Sequence, residues 1–255
     1  MKKHHLISAT AILGLALASC SFSFDGDTLN GETIKGNGNI VTRNYEVTTF
    51  NEVSTSLPAT VNYTVGEAYT CTVCVDENIF DYLEIKVKDG KLLLGRPKAH
   101  KNVNLRATKF VIDITAPSMN EVNLAGSGDI NILSPLNVKD LGVNIAGSGN
   151  VLFKEEINID HLELGVAGSG DIYVDKGTIR EFEADIAGSG KIVSHAEVQD
   201  LDANVMGSGD ITAKVNGKLE YFIAGSGDIK YYGNAEVKGK IAGSGSINRI
   251  EDPTR

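Results

Sequence analysis

The sequence predicts an all-β fold, a β-solenoid of about 18–21 residues per coil, and three observations carry the prediction. A seven-residue phrase, first "LAGSGDI" at Leu124–Ile130, recurs with Gly-Ser-Gly starts at Gly126, Gly147, Gly168, Gly188, Gly207, Gly225 and Gly243, at intervals of 21, 21, 20, 19, 18 and 18 residues. A period near twenty that tolerates small length changes marks a stacked repeat whose insertions fall in loops. Before the phrase, apolar residues alternate, as in Leu141-Val143-Ile145, Leu162-Leu164-Val166 and Phe182-Ala184-Ile186, which is the period of a strand with one buried face. After it an aliphatic residue returns at Ile130, Val151, Ile172, Ile192, Ile211, Ile229 and Ile247. With one repeat per rung, these side chains stack inside at ~4.8 Å. A helical reading fails because Val, Ile, Gly, Asn and Asp are poor helix formers at this density.

The repeated phrase reads as the corner between two strands of one coil. Its glycine pairs are Gly126 and Gly128, Gly147 and Gly149, Gly168 and Gly170, Gly188 and Gly190, Gly207 and Gly209, Gly225 and Gly227, and Gly243 and Gly245. A pair of glycines suits a tight bend because each reaches positive φ without a Cβ clash. The serine between them is expected to bond local backbone or to ladder with its neighbours. The small residue ahead (Ala125, Ala146, Ala167, Ala187, Ala224, Ala242, with Met206 the exception) is expected where little room exists. A phosphate-binding nest is the competing reading, but neither a helix start nor a P-loop lysine follows.

In chain order, Lys2 and Lys3, the apolar run Leu6–Ala18 and small residues before Cys20 read as a signal peptide over 1–19. "LASC", Leu17–Cys20, resembles the bacterial lipobox and implies that Cys20 becomes a lipidated N-terminus, an anchor on a membrane such as a palmitate-bearing lipid supplies. Residues 20–36 read as a polar tether, 37–250 as the solenoid and 251–255 as a tail. Within the solenoid, 37–118 is expected to form irregular first coils or a cap, and 119–250 the regular repeats. Gly36-Asn37-Gly38 reads as a degenerate corner, Asp89-Gly90 as a hairpin turn, and the stretch from Asp76 as a helical turn. Arg249, Glu251, Asp252 and Pro253 read as residues that blunt the last edge.

Composition limits the partners. With 24 basic and 33 acidic residues the formal charge is −9, or −11 without Lys2 and Lys3, so phosphate backbones are repelled and nucleic acid is excluded as a natural partner. An apolar content of 42% with 5 prolines excludes a disordered stalk. Cys71 and Cys74 lie three apart in a strand-like stretch, so they point to opposite faces and form neither a disulfide nor, without a second pair, a zinc site. His100, His161 and His195 share no ligand spacing, and no nucleophile-elbow pattern is present. No cofactor is implied.

These features resemble a known family. The corners follow an opening "FNEV … VNYTVG" and the segment "VKDGKLLLG" at Val87–Gly95, behind a lipoprotein leader. In that order they resemble the secreted "putative auto-transporter adhesin, head GIN domain" family of Bacteroidetes-type bacteria, over about Asn44–Ile250. The resemblance implies a single-stranded right-handed parallel β-helix and carries no catalytic residue over.

One outward column holds Glu121, Gly142, Glu163, Glu183, Asp202, Glu220 and Lys238. Neighbouring acids ~5 Å apart repel by on the order of 1 kcal/mol in water. The acidic ladder Glu163, Glu183, Asp202 and Glu220 is either a solvated face or a strip for a divalent cation or basic partner. A second column, Asp129, Asn150, Asp171, Lys191, Asp210, Asp228 and Ser246, breaks its acids with neutral or basic residues and reads as relief of repulsion. The expected function is that of a non-catalytic adhesin or scaffold of the cell envelope, anchored at the outer membrane and not an enzyme, with a glycan or protein ligand and homo-oligomerisation as open partner classes. A carbohydrate-binding or carbohydrate-cleaving β-helix is the alternative. Tyr221 and Tyr231 are expected inside by parity, with Phe222 and Tyr232 as exposed sugar platforms.

Overall fold

The computed structural model describes residues 31–253; the signal peptide, Cys20 and the start of the tether lie outside them. The alternation read from the sequence becomes strands that stack in parallel. Glu121 lies opposite Gly142, then Glu163, Glu183, Asp202, Glu220 and Lys238, each one coil further on. The inward residues form one continuous core: Leu164, Ile172, Ile186, Ile192, Val205, Ile211 and Ile223 are all buried completely.

Each coil has three sides. Asp129–Ile132, Asn150–Phe153 and Asp171–Val174 stack as the first side. Leu136–Gly147 and Ile157–Gly168 each supply the other two. Their bend carries no glycine. It is marked by two successive outward residues, Lys139-Asp140 and Asp160-His161, after which the inward positions change parity. The shortening of the coils is taken up largely at the edge between the first and second sides. Three residues bridge it at 133–135 and 154–156, and two at 175–176.

At each Gly-Ser-Gly bend the two glycines do different work. Gly147 has φ +141°, and a Cβ there would stand 2.3 Å from the Gly126 carbonyl oxygen. The second glycine needs no positive φ; it is required for space, since a Cβ on Gly149 would stand 1.9 Å from the Gly128 oxygen. The ladder runs through backbone rather than serine hydroxyls. Ser148, Ser169, Ser189, Ser208, Ser226 and Ser244 each donate their N–H at 2.8 Å to the carbonyl of the first glycine one coil earlier, while the serines themselves face solvent. The alanines also face outward rather than into a crowded interior.

The residue after the corner has a structural role that its charge pattern concealed. Asp129, Asn150, Asp171, Asp210 and Asp228 use a side-chain oxygen to accept the N–H of the equivalent residue on the next coil, at 2.8–3.2 Å. Lys191 cannot accept, and there Asp210 N–H turns to the Gly190 carbonyl at 3.2 Å.

The N-terminal coils depart from chain order. Glu52–Thr55 pairs with Glu121–Gly126 on one side and with Lys91–Gly95 on the other, while Thr60–Val65 lies between Asp129–Ile132 and Phe110–Ala116. The coil at 91–116 is therefore stacked outside the coil at 52–65. Beyond it the direction reverses: Thr70–Asp76 runs antiparallel to Phe110–Ala116, and Ile40–Tyr45 antiparallel to Thr70–Asp76. Glu84–Lys88 and Lys91–Gly95 form the expected hairpin, with positive φ at Asp89 and Gly90, and Glu77–Tyr82 is a 3-10 helix.

Two expectations are corrected here. Thr33–Lys35 is a strand paired with Asn104–Arg106, so the tether ends before Gly36. Gly36-Asn37-Gly38 is not a coil corner but a loop wrapped on buried Asp76. The Asp76 carboxylate accepts the N–H of Gly38 at 2.7 Å and of Thr108 at 2.6 Å, and a Cβ on Gly36 would stand 2.3 Å from it. Cys71 points inward and Cys74 outward, both unpaired thiols, as strand parity requires.

Candidate functional site

The bend between the second and third sides builds a groove. The corner residues Asp140, His161, Glu181, Asp200 and Lys218 stack in register. Two residues further along each strand, Gly142, Glu163, Glu183, Asp202 and Glu220 form the outward column read from the sequence. Between the two columns, Leu141, Leu162, Phe182 and Leu201 point into the core and are 2–3% exposed. The result is an open groove of about 550 Å3 running across the coils, with one acidic wall, one wall of mixed charge and an apolar floor.

Electrostatics concentrate at Glu183 and Asp185. Asp185 lies two positions beyond Glu183 on the same outward face and is only 5% exposed. Burial, reinforced by the charges of Asp185, Glu163 and Asp202, pushes the Glu183 carboxyl up to about 7. Burial raises Asp185 to about 6, although a hydrogen bond from Asn204 Nδ2 at 3.0 Å favours its charged form. Carboxylates that cannot all ionise at little cost hold protons near neutral pH.

The opposite wall is balanced. His161 Nδ1 stands 2.7 Å from Asp140 and its Nε2 3.0 Å from Glu181, with Arg180 also against Glu181. At one end of the ladder Lys91 pairs with Glu52 at 2.9 Å and reaches Glu121 at 3.9 Å; at the other, Lys238 occupies the register position after Glu220. The sequence showed the ladder Glu163, Glu183, Asp202 and Glu220 but not Asp140, His161, Glu181 and Asp200, because no glycine announces the bend that aligns them. Among the described residues no three His, Cys, Asp or Glu side chains converge to hold a metal ion.

The aromatic platform expected at Phe222 and Tyr232 does not form. Tyr232 is 1% exposed, although its outward parity is right: it lies opposite Lys214. The returning C-terminal segment covers it. Ile250 N–H bonds the Tyr231 carbonyl at 2.8 Å, Lys214 Nζ stands 3.9 Å from Asp252, and the Tyr232 hydroxyl meets His195 Nδ1 at 2.9 Å. Burial and the Asp252 charge push the Tyr232 hydroxyl up to about 12. Asp252 thus folds over the edge between sides rather than blunting a free strand.

The family described as "Putative auto-transporter adhesin, head GIN domain" matches residues 49–235. The chain belongs to this family. A structure from Parabacteroides distasonis called a putative lipid binding protein is 31% identical, with a TM-score of 0.73, covering 86% of this chain and all of that one. A Bacteroides fragilis structure called a putative adhesin is 26% identical with a TM-score of 0.77, covering 85% of this chain and all of that one. A Parabacteroides merdae structure, also called a putative adhesin, is 24% identical with a TM-score of 0.73, covering 87% and 100%, and shows the shared fold. No curated protein matches the sequence. Membership of this adhesin family points to a cell-surface or envelope protein, and among the described residues no helix is long and apolar enough to cross a membrane.

Proposed function

We propose that the protein is a non-catalytic adhesin or scaffold of the cell envelope, held on the outer membrane through a lipid on Cys20, and that the acidic groove is the binding face along its side. The groove carries this reading. One in-register column fixes the carboxylates of Glu163, Glu183, Asp202 and Glu220 on successive coils of a rigid stack, so a cationic partner would meet a prearranged field and relieve the repulsion within it. An acyl chain, by contrast, needs an apolar slot, and the interior here is filled by packed aliphatic side chains such as Ile172, Ile186 and Val205. The lipid-binding name of the Parabacteroides distasonis relative therefore finds no support in this core.

Fluorescence anisotropy with labelled hexalysine tests the groove. Binding should weaken with salt and be lost in the triple variant Glu163→Gln, Glu183→Gln, Asp202→Asn; equal binding by the variant would contradict the proposal. Protease treatment of intact cells tests display, since a surface adhesin is removed and a periplasmic scaffold survives. Palmitate labelling that persists in Cys20→Ala would reject the anchor.

A further inference from the structure

The last coil differs from every coil beneath it. Its strands Glu236–Gly243 and Ser246–Arg249 pair with the preceding coil on one edge and, among the described residues, with nothing on the other. The core columns consequently emerge at this end. Ile241 is 41% exposed, whereas Ile223, Val205 and Ile186, stacked below it, are fully buried. Val237 is partly open above fully buried Leu219, and Ile247 above fully buried Ile229. Gly239 lies over Tyr221, where a Cβ would meet the ring at 2.5 Å. The end thus offers unpaired backbone and apolar positions in alternate slots, which is the requirement for adding a strand.

The charges select the strand. The chain is acidic overall, yet the outward positions of Glu236–Gly243 include Lys238 and Lys240, both exposed. A second copy is disfavoured. Two-fold related strands run antiparallel, and the register that sets Val237 against Ile241 also sets Lys238 against Lys240, with like charges opposed. The other end of the same column shows the arrangement that works. There Lys91–Gly95 lies on Glu52–Thr55, with Lys91 paired to Glu52 at 2.9 Å and Leu92 opposite Val53. The basic C-terminal edge calls for the reverse, acids opposite lysines and apolar residues opposite Val237, Gly239 and Ile241.

We propose that the C-terminal end of the solenoid is a strand-addition site for an extended acidic polypeptide, pairing with the free edge of Glu236–Gly243 and placing its carboxylates against Lys238 and Lys240. This site is separate from the groove and does not depend on it.

Two labelled nine-residue peptides test the proposal, one alternating valine with glutamate and one alternating valine with lysine, each titrated with the full chain by anisotropy. The glutamate peptide should bind about tenfold more tightly, and the preference should shrink at ~0.5 M salt. The double variant Lys238→Glu, Lys240→Glu should reverse the order, with an unchanged thermal melt as the check on folding. Absence of binding by both peptides, equal binding, or an order unaffected by the reversal would overturn it. Light scattering supplies the other arm: a dimer that Ile241→Asp converts to monomer would assign this end to a second copy and also overturn the proposal.

Discussion

The two ends of the stack solve the same problem differently. At the N-terminal end the coil at 91–116 is covered by antiparallel strands, and Val73, Val75 and Ile79 are fully buried. At the C-terminal end no described strand covers the last coil, and Ile241 is 41% exposed. A repeat propagates because each coil offers the next the same edge, but nothing in it says how to stop. Termination takes non-repeating sequence, and here the segments at 31–51 and 66–90, including the Asp76-centred loop, are devoted to one end. The contrast implies that stability should fall from the capped end toward the open one.

The most damaging change should be an alanine in a mid-stack corner. Gly149→Ala drives a Cβ into the Gly128 carbonyl and should cost about 4 kcal/mol or abolish folding. Gly245→Ala meets the same contact at 2.2 Å, but its coil is free to lift, so about 1 kcal/mol is expected in denaturant melts. Equal losses at the two sites would remove the contrast between middle and end.

Asp76→Ala should cost about 2 kcal/mol, because it removes the buried carboxylate to which the N–H groups of Gly38 and Thr108 donate. Burial alone would raise this carboxyl, but the hydrogen bonds from Thr108, Gly38 and Lys109 outweigh it and hold it below the ordinary value. Its stabilisation is present above the unfolded aspartate value near 4 and is lost as pH falls through the lowered one. Acid melts of Asp76→Ala should therefore lack a low-pH step that the parent shows.

Core truncations sharpen the same gradient. Ile186→Ala, fully buried, should cost about 3 kcal/mol. Ile241→Ala, in the same column but open to water, should cost less than about 1 kcal/mol. Similar values would mean that the C-terminal end is covered in solution.

The smallest effect lies in the groove. Glu183 and Asp185 are raised to about 7 and 6, mainly by burial. A raised carboxyl contributes stability that is full below the unfolded value near 4 and is lost as pH rises through the folded one. The melting temperature should thus fall from pH 5 to pH 8. Glu183→Gln should flatten that slope and stabilise the protein at pH 8 by about 1 kcal/mol.

How much of this was legible depended on whether a residue's role repeats. Ile172, Ile192 and Ile211 could be placed in one inward column from spacing alone, as could the outward ladder through Glu183, because each coil restates the same alternation. Asp89-Gly90 was legible from turn chemistry. The reversed order of the first two coils was not, since local pattern identifies strands but not which edge they join. Asp76 was hidden because its partners lie 32 and 38 residues away. The bend at Asp140 and His161 carries no glycine to announce it. Tyr232 had the predicted parity but the wrong exposure, because a segment beyond the last repeat folds over it.

Hydrogen exchange at the corner serines tests the polarity of the stack most directly. Ser148, Ser169, Ser189, Ser208, Ser226 and Ser244 make the same 2.8 Å bond to the preceding coil, so any difference among their amides reports coil stability rather than local geometry. Protection should be greatest at Ser148 and Ser169, decline toward Ser226, and be least at Ser244. Uniform protection along the series, or exchange that begins at the capped end, would contradict the account.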